Sequence, residues 1–408
     1  MKFGLKTAVV QAPQEKKSRF KEDTDFATCD WGNRYYKQMI TGNRPSVTIT
    51  ENSVVVLQTS TWDQHRAQFK NSPGRFKNTE IFGFYHRRQK ANSSSMELDP
   101  SSTITYVAVG ESAKNYGRTK NMTDEIKYVY NSYWGAVVCS QLIRLFPNGS
   151  NNIVLALAQP TKSYGQREMM VHATLGKHKV VTTDGRTIDF KVVEVLPWDE
   201  PVGGVIRWTE TEEYLYNKHS LSAGDMILVV DIGGGVSSFT RVQVEYDNLN
   251  KMMLMPVYDQ QQSPSVPMGI RNVMDKFKEL LKSSHPRFST LKEKEITDRM
   301  LEQGIREGKI DLKGQPVEVR EQLQFAEAEL LDLMENRYRN DLGNGDPFKV
   351  IITTGGGMHT YHNRLNTELF DHGAVESSGP LLNIHLANLI GGDEIFRQWL
   401  QREARKNG

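Results

Sequence analysis

The stretch VVDIGGGVSSF, residues 229–239, passes from apolar residues through Asp231 into three glycines and a second segment rich in serine. The stretch CDWGNRYYK, residues 29–37, has the same order of aspartate, one intervening residue and glycine. A third stretch, VIITTGGGM at residues 350–358, has the glycines but lacks the acid. The first two predict a strand, a tight turn and a second strand, and the third predicts a buried strand that stops at its glycines.

The glycines in these stretches suit a bound phosphate group. Because glycine has no Cβ, successive glycines let backbone N–H groups point into one concavity, which can then bind an anion. An aspartate at a strand end repels phosphate, but it can hold a hydrated Mg²⁺ that the phosphate also binds. Two such hairpins could hold one polyphosphate from both sides, and the third triplet could approach a base and its ribose. Taken singly, each stretch is more often an ordinary turn or βα connection.

Sequence motifs of other nucleotide sites are missing. No Gly-x4-Gly-Lys-Ser/Thr pattern occurs, so the chain has no P-loop signature. No Gly-x-Gly-x-x-Gly opens a helix either, which argues against a Rossmann dinucleotide site. The three glycine stretches are therefore the candidates for a nucleotide site.

The composition is that of an ordinary globular protein. The chain has 408 residues, 38% of them hydrophobic, and a net charge of +2, which gives no case for a protein that coats nucleic acid. The length predicts two or three domains. Cys29 and Cys139 are the only cysteines, which excludes a disulfide framework and a four-cysteine zinc site. The longest apolar run, residues 153–158, is far too short to span a bilayer, and a cytoplasmic location is expected.

The remaining pattern predicts an α/β fold, because strands alternate with helices. Apolar residues at helical spacing predict helices over residues 124–146, 200–216, 270–281, 317–338 and 392–406. Apolar or alternating runs predict strands over residues 151–158, 226–231, 240–245 and 349–354. Hairpins are expected between residues 46–50 and 54–58, between the strands at 226–231 and 240–245, and around the turn at 183–185.

Taken in order, these features resemble the actin superfamily of ATPases, which includes actin, bacterial actin-like filament proteins, heat-shock chaperone ATPase domains and sugar kinases. The family pattern is a first phosphate hairpin, a connecting helix, a second phosphate hairpin and a Gly-Gly adenosine loop. The matching residues are Asp30, Gly32 and Lys37 for the first hairpin, Asp231, Gly233, Gly234 and Gly235 for the second, and Gly355, Gly356 and Gly357 for the adenosine loop. EPVGG, residues 200–204, looks like the start of the connecting helix. The resemblance implies a two-domain actin-like (ribonuclease H-like) fold with a nucleotide cleft between the domains.

Within the superfamily, the sequence is most similar to ParM-type plasmid-segregation actins. TITYVAVGESA, residues 103–113, looks like their domain I strand, and VLPWDEPVG, residues 195–203, resembles their entry into the connecting helix. Domain I would comprise residues 25–205 with 383–408, and domain II residues 206–382. Residues 1–24 would form an N-terminal extension. Trp31 is a departure, because it is bulky for a position beside a phosphate.

The resemblance also implies a role for individual residues. Asp30 and Asp231 would orient Mg²⁺ through water, and Lys37 would contact phosphate oxygens. Glu200 would position or activate the attacking water, although its neighbour Asp199 could do so instead. The resemblance implies two further sets of contacts with ATP. The backbone would contact the phosphates at Gly32, Asn33, Gly233, Gly234 and Gly235. The adenosine would lie against Gly355, Gly356, Gly357 and Met358.

The function implied by the resemblance is that of a filament-forming ATPase. ATP would favour assembly and hydrolysis would destabilise the filament, for plasmid or other DNA segregation. An adaptor protein would connect the filament to DNA, so direct contact with nucleic acid or membrane is not expected. The alternative is a sugar or small-metabolite kinase of the same superfamily; a chaperone-like ATPase and a cell-shape actin are further alternatives. ATP and GTP both remain open, because backbone and shape would hold the base.

Overall fold

The computed structural model describes most of the chain between Phe20 and Lys406. The described residues are 20–32, 35–71, 80–89, 96–99, 101, 103–116, 132–159, 166–211, 214, 221–247, 252–259, 261–345, 347–358, 361, 375–379 and 381–406. Most of the predicted N-terminal extension therefore lies outside the described residues, and so does Asn33. No helix within the described ranges is both long and apolar enough to cross a membrane.

The fold is mixed α/β, as the sequence predicts. The strands are β1 Asp25–Trp31, β2 Tyr35–Ile40, β3 Thr48–Glu51, β4 Val54–Val56, β5 Ile81–Tyr85, β6 Arg87–Gln89, β7 Met96–Leu98, β8 Ile104–Val109, β9 Ser150–Gln159, β10 Gly176–Thr182, β11 Thr187–Asp199, β12 Met226–Ile232, β13 Ser237–Tyr246, β14 Met252–Pro256, β15 Ser265–Val266, β16 Lys309–Leu312, β17 Gln315–Glu318, β18 Val350–Thr354 and β19 Val375–Ser377. The α-helices of the described ranges are α1 Thr59–Asn71, α2 Ser132–Leu145, α3 Arg167–Thr174, α4 Glu200–Thr209, α5 Ile270–Ser284, α6 Pro286–Ser289, α7 Asp298–Glu307, α8 Arg320–Asn336 and α9 Ala387–Lys406.

The larger sheet has nine strands in the order β3-β2-β1-β9-β11-β10-β5-β8-β4. β9 is parallel to β1 and β11, and the other neighbouring strands are antiparallel. The predicted hairpin at residues 183–185 is confirmed, because it joins β10 to β11 with Gly185 at φ +87°. Apolar residues of α2, among them Trp134, Val137 and Leu142, pack against this sheet in one buried core.

The predicted hairpin between residues 46–50 and 54–58 is wrong. β3 pairs with β2 and β4 pairs with β8, at opposite ends of the strand order, although only two residues separate β3 from β4. These two residues, Asn52 and Ser53, are buried. The Asn52 amide donates to the Gly32 carbonyl at 3.2 Å, and the Ser53 carbonyl accepts from the Gly110 N–H at 2.8 Å. Because their polar groups bond to distant segments, they redirect the chain instead of closing a hairpin.

The second large sheet has the order β14-β13-β12-β18-β19, with β15 paired to β13. The predicted hairpin of β12 and β13 is confirmed, and β18 runs parallel to both β12 and β19. Helix α5 covers one side of this sheet, because its apolar residues Val273, Phe277 and Leu281 join the same buried core as β12 and β18. This arrangement places the ends of β12 and β18, each followed by a glycine stretch, side by side.

Four predicted helices differ from the structure at their ends; the one predicted over 270–281 begins at Ile270 and continues to Ser284. The helix predicted over 317–338 begins at Arg320, because residues 315–318 pair with β16 as β17, and it ends at Asn336. The helix predicted over 200–216 ends at Thr209, where the hydroxyls of Thr209 and Thr211 donate to carbonyls of the last turn. The last helix begins at Ala387, five residues before the predicted start. Of the helix predicted over 124–146, residues 124–131 lie outside the described residues.

Helices α4 and α9 pack against each other and connect the two large sheets. α9 contacts β1 and β9 of the larger sheet, whereas α4 contacts β12 and β18 of the second. Their backbones approach so closely that a Cβ on Gly391 would lie 1.8 Å from the carbonyl oxygen of Gly203. A Cβ on Gly392 would likewise meet the ring of Trp198 at 2.3 Å. Glycine is therefore required where α4 and α9 cross. This close packing fixes the position of both sheets relative to the first turn of α4.

Candidate functional site

Asp30 and Lys37 form a buried ion pair in the first hairpin. They are directly opposed on the antiparallel strands β1 and β2, so their side chains lie on the same face. Only 1% of Asp30 and 9% of Lys37 are exposed. The Lys37 ammonium donates to the Asp30 carboxylate and, at 2.9 Å, to the carbonyl of His385 just before α9. The seven-residue spacing seen in the sequence thus places one acid and one base together beside the turn.

The side chain of Trp31 points into the core and leaves the turn free. Its ring packs edge-on against Trp134 of α2, with 5.5 Å between ring centroids. Its indole N–H faces the side-chain oxygen of Gln38 at 3.4 Å. The bulk of Trp31 is therefore accommodated away from the site, and the departure noted in the sequence carries no steric consequence there.

The second hairpin presents Asp231 at the end of β12, followed by the three glycines. The Gly233 N–H donates to the Val236 carbonyl at 2.9 Å and closes the turn. The carbonyls of Gly233 and Gly234 accept from the first two N–H groups of α5, those of Ile270 and Arg271, at 3.1 and 2.9 Å. In a trans peptide the N–H points opposite to the carbonyl, so the next N–H groups of this turn point away from α5. The glycine turn therefore has the backbone orientation that an anion site needs.

The third glycine stretch packs directly on the second hairpin. Gly355 has φ +90°, and a Cβ there would lie 2.0 Å from Oδ1 of Asp231. A Cβ on Gly357 would lie 2.3 Å from the side chain of Ile232, whereas one on Gly356 would meet nothing closer than 4.0 Å. The side chain of Met358 is fully buried in the core beside α5. Gly356 thus lies on the open side of this loop, whereas the side chain of Met358 faces the core.

Four ionisable side chains interact at this place in the fold. Burial lowers the pKa of the Lys37 ammonium, but the charges of Asp30, Glu200 and Asp231 outweigh burial and raise its pKa above the ordinary value. The pKa of Asp231 is raised to about 6, because burial and the charge of Asp30, which raise it, outweigh Lys37 and a hydrogen bond from Asn388, which lower it. The first hairpin, the second hairpin and the first residue of α4 therefore converge on one charged centre.

Asp199 and Glu200 have different surroundings, although they are adjacent in sequence. The Asp199 carboxylate accepts from the Tyr258 hydroxyl at 2.8 Å and pairs with Arg167 at 3.3 Å. Burial raises the pKa of Asp199, while the Tyr258 bond and Arg167 counteract that rise. Glu200 is half-buried and is the one of the two whose charge acts on Lys37. The charge of Glu200 therefore acts on Lys37, and Asp199 is bonded to Tyr258 and Arg167.

Comparison with known proteins gives a match in structure only. No family model and no curated protein matches the sequence. A 15-stranded ParM filament from Clostridium botulinum matches with a TM-score of 0.63 at 18% identity, covering 92% of this chain and 99% of that one. The actin-like protein Alp7A matches with 0.63 at 14% identity, and Bacillus thuringiensis ParM with ATP matches with 0.58 at 11% identity; each comparison covers 93% of this chain and 100% of the other.

The chain has an actin-like fold. The similarity extends over nearly the whole length of both chains in each comparison, so the fold expected from the sequence resemblance is confirmed. At identities of 11–18% the match establishes the fold alone.

The donor set of the actin-like chain fits a hydrated divalent cation. Three carboxylates, those of Asp30, Asp231 and Glu200, act on a single ammonium, that of Lys37, so the centre carries an excess of negative charge. Carboxylate oxygens are the ligands that Mg²⁺ prefers, and Mg²⁺ usually keeps several of its waters. Across the described ranges, no group of three or more acidic, histidine or cysteine side chains is placed to hold a metal ion. Because Mg²⁺ keeps several of its waters, these carboxylates suit contact with it through water.

Several residues at the site could not be singled out from the sequence. Asn388 of α9 donates to Asp231 at 3.0 Å, and the Thr354 hydroxyl donates to the Asn388 side-chain oxygen at 2.8 Å. Tyr258 and Arg167 hold Asp199. The only signal for Asn388 is a polar residue within the apolar run at 386–390, and the predicted helix began after it. These contacts join segments far apart in the chain, which local patterns cannot reveal.

Alanine at Gly355 is expected to damage both stability and the site. The positive φ costs about 1–2 kcal/mol for a residue with a Cβ, and the Cβ would also displace the Asp231 carboxylate. We expect Gly355→Ala to lower the free energy of unfolding in urea by at least about 2 kcal/mol. Gly356→Ala is the matched control and is expected to change it by less than about 0.5 kcal/mol. Equal losses in the two variants would contradict the described loop.

Proposed function

We propose that this actin-like protein binds ATP with Mg²⁺ between its two sheets, assembles into filaments in that state and hydrolyses the nucleotide. The observation that carries the proposal is the convergence of Asp30, Lys37, Asp231 and Glu200 on one centre. Two hairpins, each with an acid beside a glycine turn, contribute to this centre from different sheets. Such an arrangement suits a polyphosphate held from both sides. The cleft would divide domain I, residues 25–205 with 383–408, from domain II, residues 206–382.

The charged residues have three different tasks in the proposed function. Lys37 donates to phosphate oxygens as a point charge. Asp30 and Asp231 hold Mg²⁺ through water, and bound Mg²⁺ would neutralise phosphate charge. Glu200 would accept a hydrogen bond from the attacking water and so orient it. The phosphates would be contacted by backbone N–H groups of Gly32 and the turn at 233–235, and the adenosine by the loop at 355–358.

The proposed role of assembly is the movement or positioning of DNA in the cytoplasm. One structural match is a ParM filament and another is named an actin-like protein. A filament of this chain would act on DNA through an adaptor protein, since a net charge of +2 gives no general affinity for nucleic acid. Plasmid segregation is the cellular task that this combination suits.

Light scattering and electron microscopy of the purified protein test the proposal directly. We expect scattering to rise and filaments to form after addition of ATP with MgCl₂, and both to be lost with EDTA, because the carboxylates need the cation to accept the nucleotide. The same measurement with GTP and MgCl₂ shows whether the protein prefers adenine or guanine nucleotides. Absence of assembly with either nucleotide, together with turnover only when a sugar is added, would contradict the proposal and favour the kinase.

A further inference from the structure

The start of the last helix contacts both hairpins of the charged centre. The carbonyl of His385 accepts from the ammonium of Lys37 at 2.9 Å. One turn later, the side-chain amide of Asn388 donates to Oδ2 of Asp231 at 3.0 Å. Residues 385–388 therefore bond to Lys37 of the first hairpin and to Asp231 of the second.

A chain of buried hydrogen bonds fixes the orientation of the Asn388 amide. The Ser378 hydroxyl donates to the Thr354 hydroxyl at 3.0 Å, and the Thr354 hydroxyl donates to the side-chain oxygen of Asn388 at 2.8 Å. All three residues are almost fully buried, with Asn388 2% exposed. Because the Thr354 proton is used on the oxygen of Asn388, the NH₂ group of Asn388 must face Asp231.

Packing holds Asp231 from the other direction as well. Its second oxygen, Oδ1, lies so close to Gly355 that a Cβ there would be at 2.0 Å. Asn388 itself is confined by α4, because a Cβ on Gly204 would lie 3.0 Å from its side-chain oxygen. One carboxylate oxygen is thus bonded to α9 and the other abuts the third glycine loop, so the carboxylate has a single orientation.

We propose that Asn388 is a positioning residue, which holds the carboxylate of Asp231 in the orientation that receives hydrated Mg²⁺ with ATP. It acts through Asp231 and need not touch the nucleotide. The inference rests on the proposed function and adds to it a residue of the last helix. Partners that orient metal-binding carboxylates typically change metal affinity or activity by about 10–100-fold when they are removed.

The test compares three variants of the full chain, with ATP as nucleotide and MgCl₂ as the titrant. Asn388→Leu keeps the size but loses the donor, and we expect the Mg²⁺ concentration for half-maximal ATP binding to rise about 10-fold. Thr354→Val frees the Asn388 amide to rotate, so a smaller rise of the same sign is expected. Leu389→Ala, in the fully buried neighbour, controls for lost packing.

Each outcome separates this inference from the proposed function. A raised Mg²⁺ requirement in Asn388→Leu, with the wild-type requirement in an equally destabilised Leu389→Ala, supports the positioning role. Equal Mg²⁺ requirements in wild type, Asn388→Leu and Leu389→Ala would overturn the positioning role of Asn388. If the wild type still bound ATP in that case, the proposed function would stand. A wild-type protein that bound no ATP at any Mg²⁺ concentration would overturn both. Thermal unfolding of every variant shows how much of each effect comes from stability.

Discussion

Replacing Glu200 with alanine is expected to lower ATP turnover by about 100-fold while nucleotide-dependent assembly persists. Glu200 is the first residue of α4, and its charge acts on the buried ammonium of Lys37. Loss of its carboxylate removes the group proposed to orient water, but it leaves the two hairpins and their glycine turns in place. Phosphate release measures turnover, and light scattering should show filaments that last longer than those of the wild type.

Asp199→Asn is the control for Glu200, because the two acids are adjacent and Asp199 is held by Tyr258 and Arg167. We expect this variant to retain most of its turnover and to lose about 1–3 kcal/mol of stability through the weakened contacts. The opposite result, with turnover lost in Asp199→Asn and retained in Glu200→Ala, would assign the water to Asp199.

Replacing Lys37 with methionine is expected to abolish ATP binding and to destabilise the protein strongly. Methionine has a similar length but no charge, so the carboxylates of Asp30 and Asp231 would remain buried without their cation. Breaking a buried pair from one side costs about 3–5 kcal/mol. Urea unfolding measures the free energy, and fluorescence titration with a labelled ATP measures binding.

Two further variants separate the buried pair from ordinary charge loss. Lys276 and Glu279 form a surface pair at 3.3 Å whose side chains are 53% and 67% exposed. Lys276→Met should therefore cost less than about 1 kcal/mol. Adding Asp30→Asn to Lys37→Met should restore part of the lost stability, since it removes one of the unpaired acids. If Lys37→Met cost no more than Lys276→Met, the described ion pair would not be present in solution.

The sequence was sufficient to predict the elements that carry the charged centre. Asp30 and Lys37 were matched through the resemblance to actin, and the structure places them opposite each other on the two arms of a short hairpin. An apolar run ended by an acid and glycines likewise located Asp231 at the end of a strand. These features depend on neighbouring residues only, and strand periodicity expresses them directly.

The features that the sequence did not reveal depend on distant partners. β3 and β4 diverge because Asn52 bonds to Gly32 and Ser53 bonds to Gly110, contacts that no local pattern encodes. Asn388 is 157 residues from Asp231 along the chain, and the predicted start of the last helix excluded it. The predicted start of the helix over 317–338 failed for a similar reason, because residues 315–318 pair with β16 as a strand. In each case tertiary pairing overrides local preference.

The position of α9 in the chain has a consequence for biosynthesis. Both hairpins emerge from the ribosome well before Ala387, and at about 5–20 residues per second the delay is on the order of ten seconds. Until then Lys37 lacks the carbonyl of His385, and Asp231 lacks the amide of Asn388. The face of β1 and β9 that α9 covers, through Phe396 among others, also stays open during that time. A nascent chain therefore cannot form these contacts of Lys37 and Asp231 before its last helix has been synthesised.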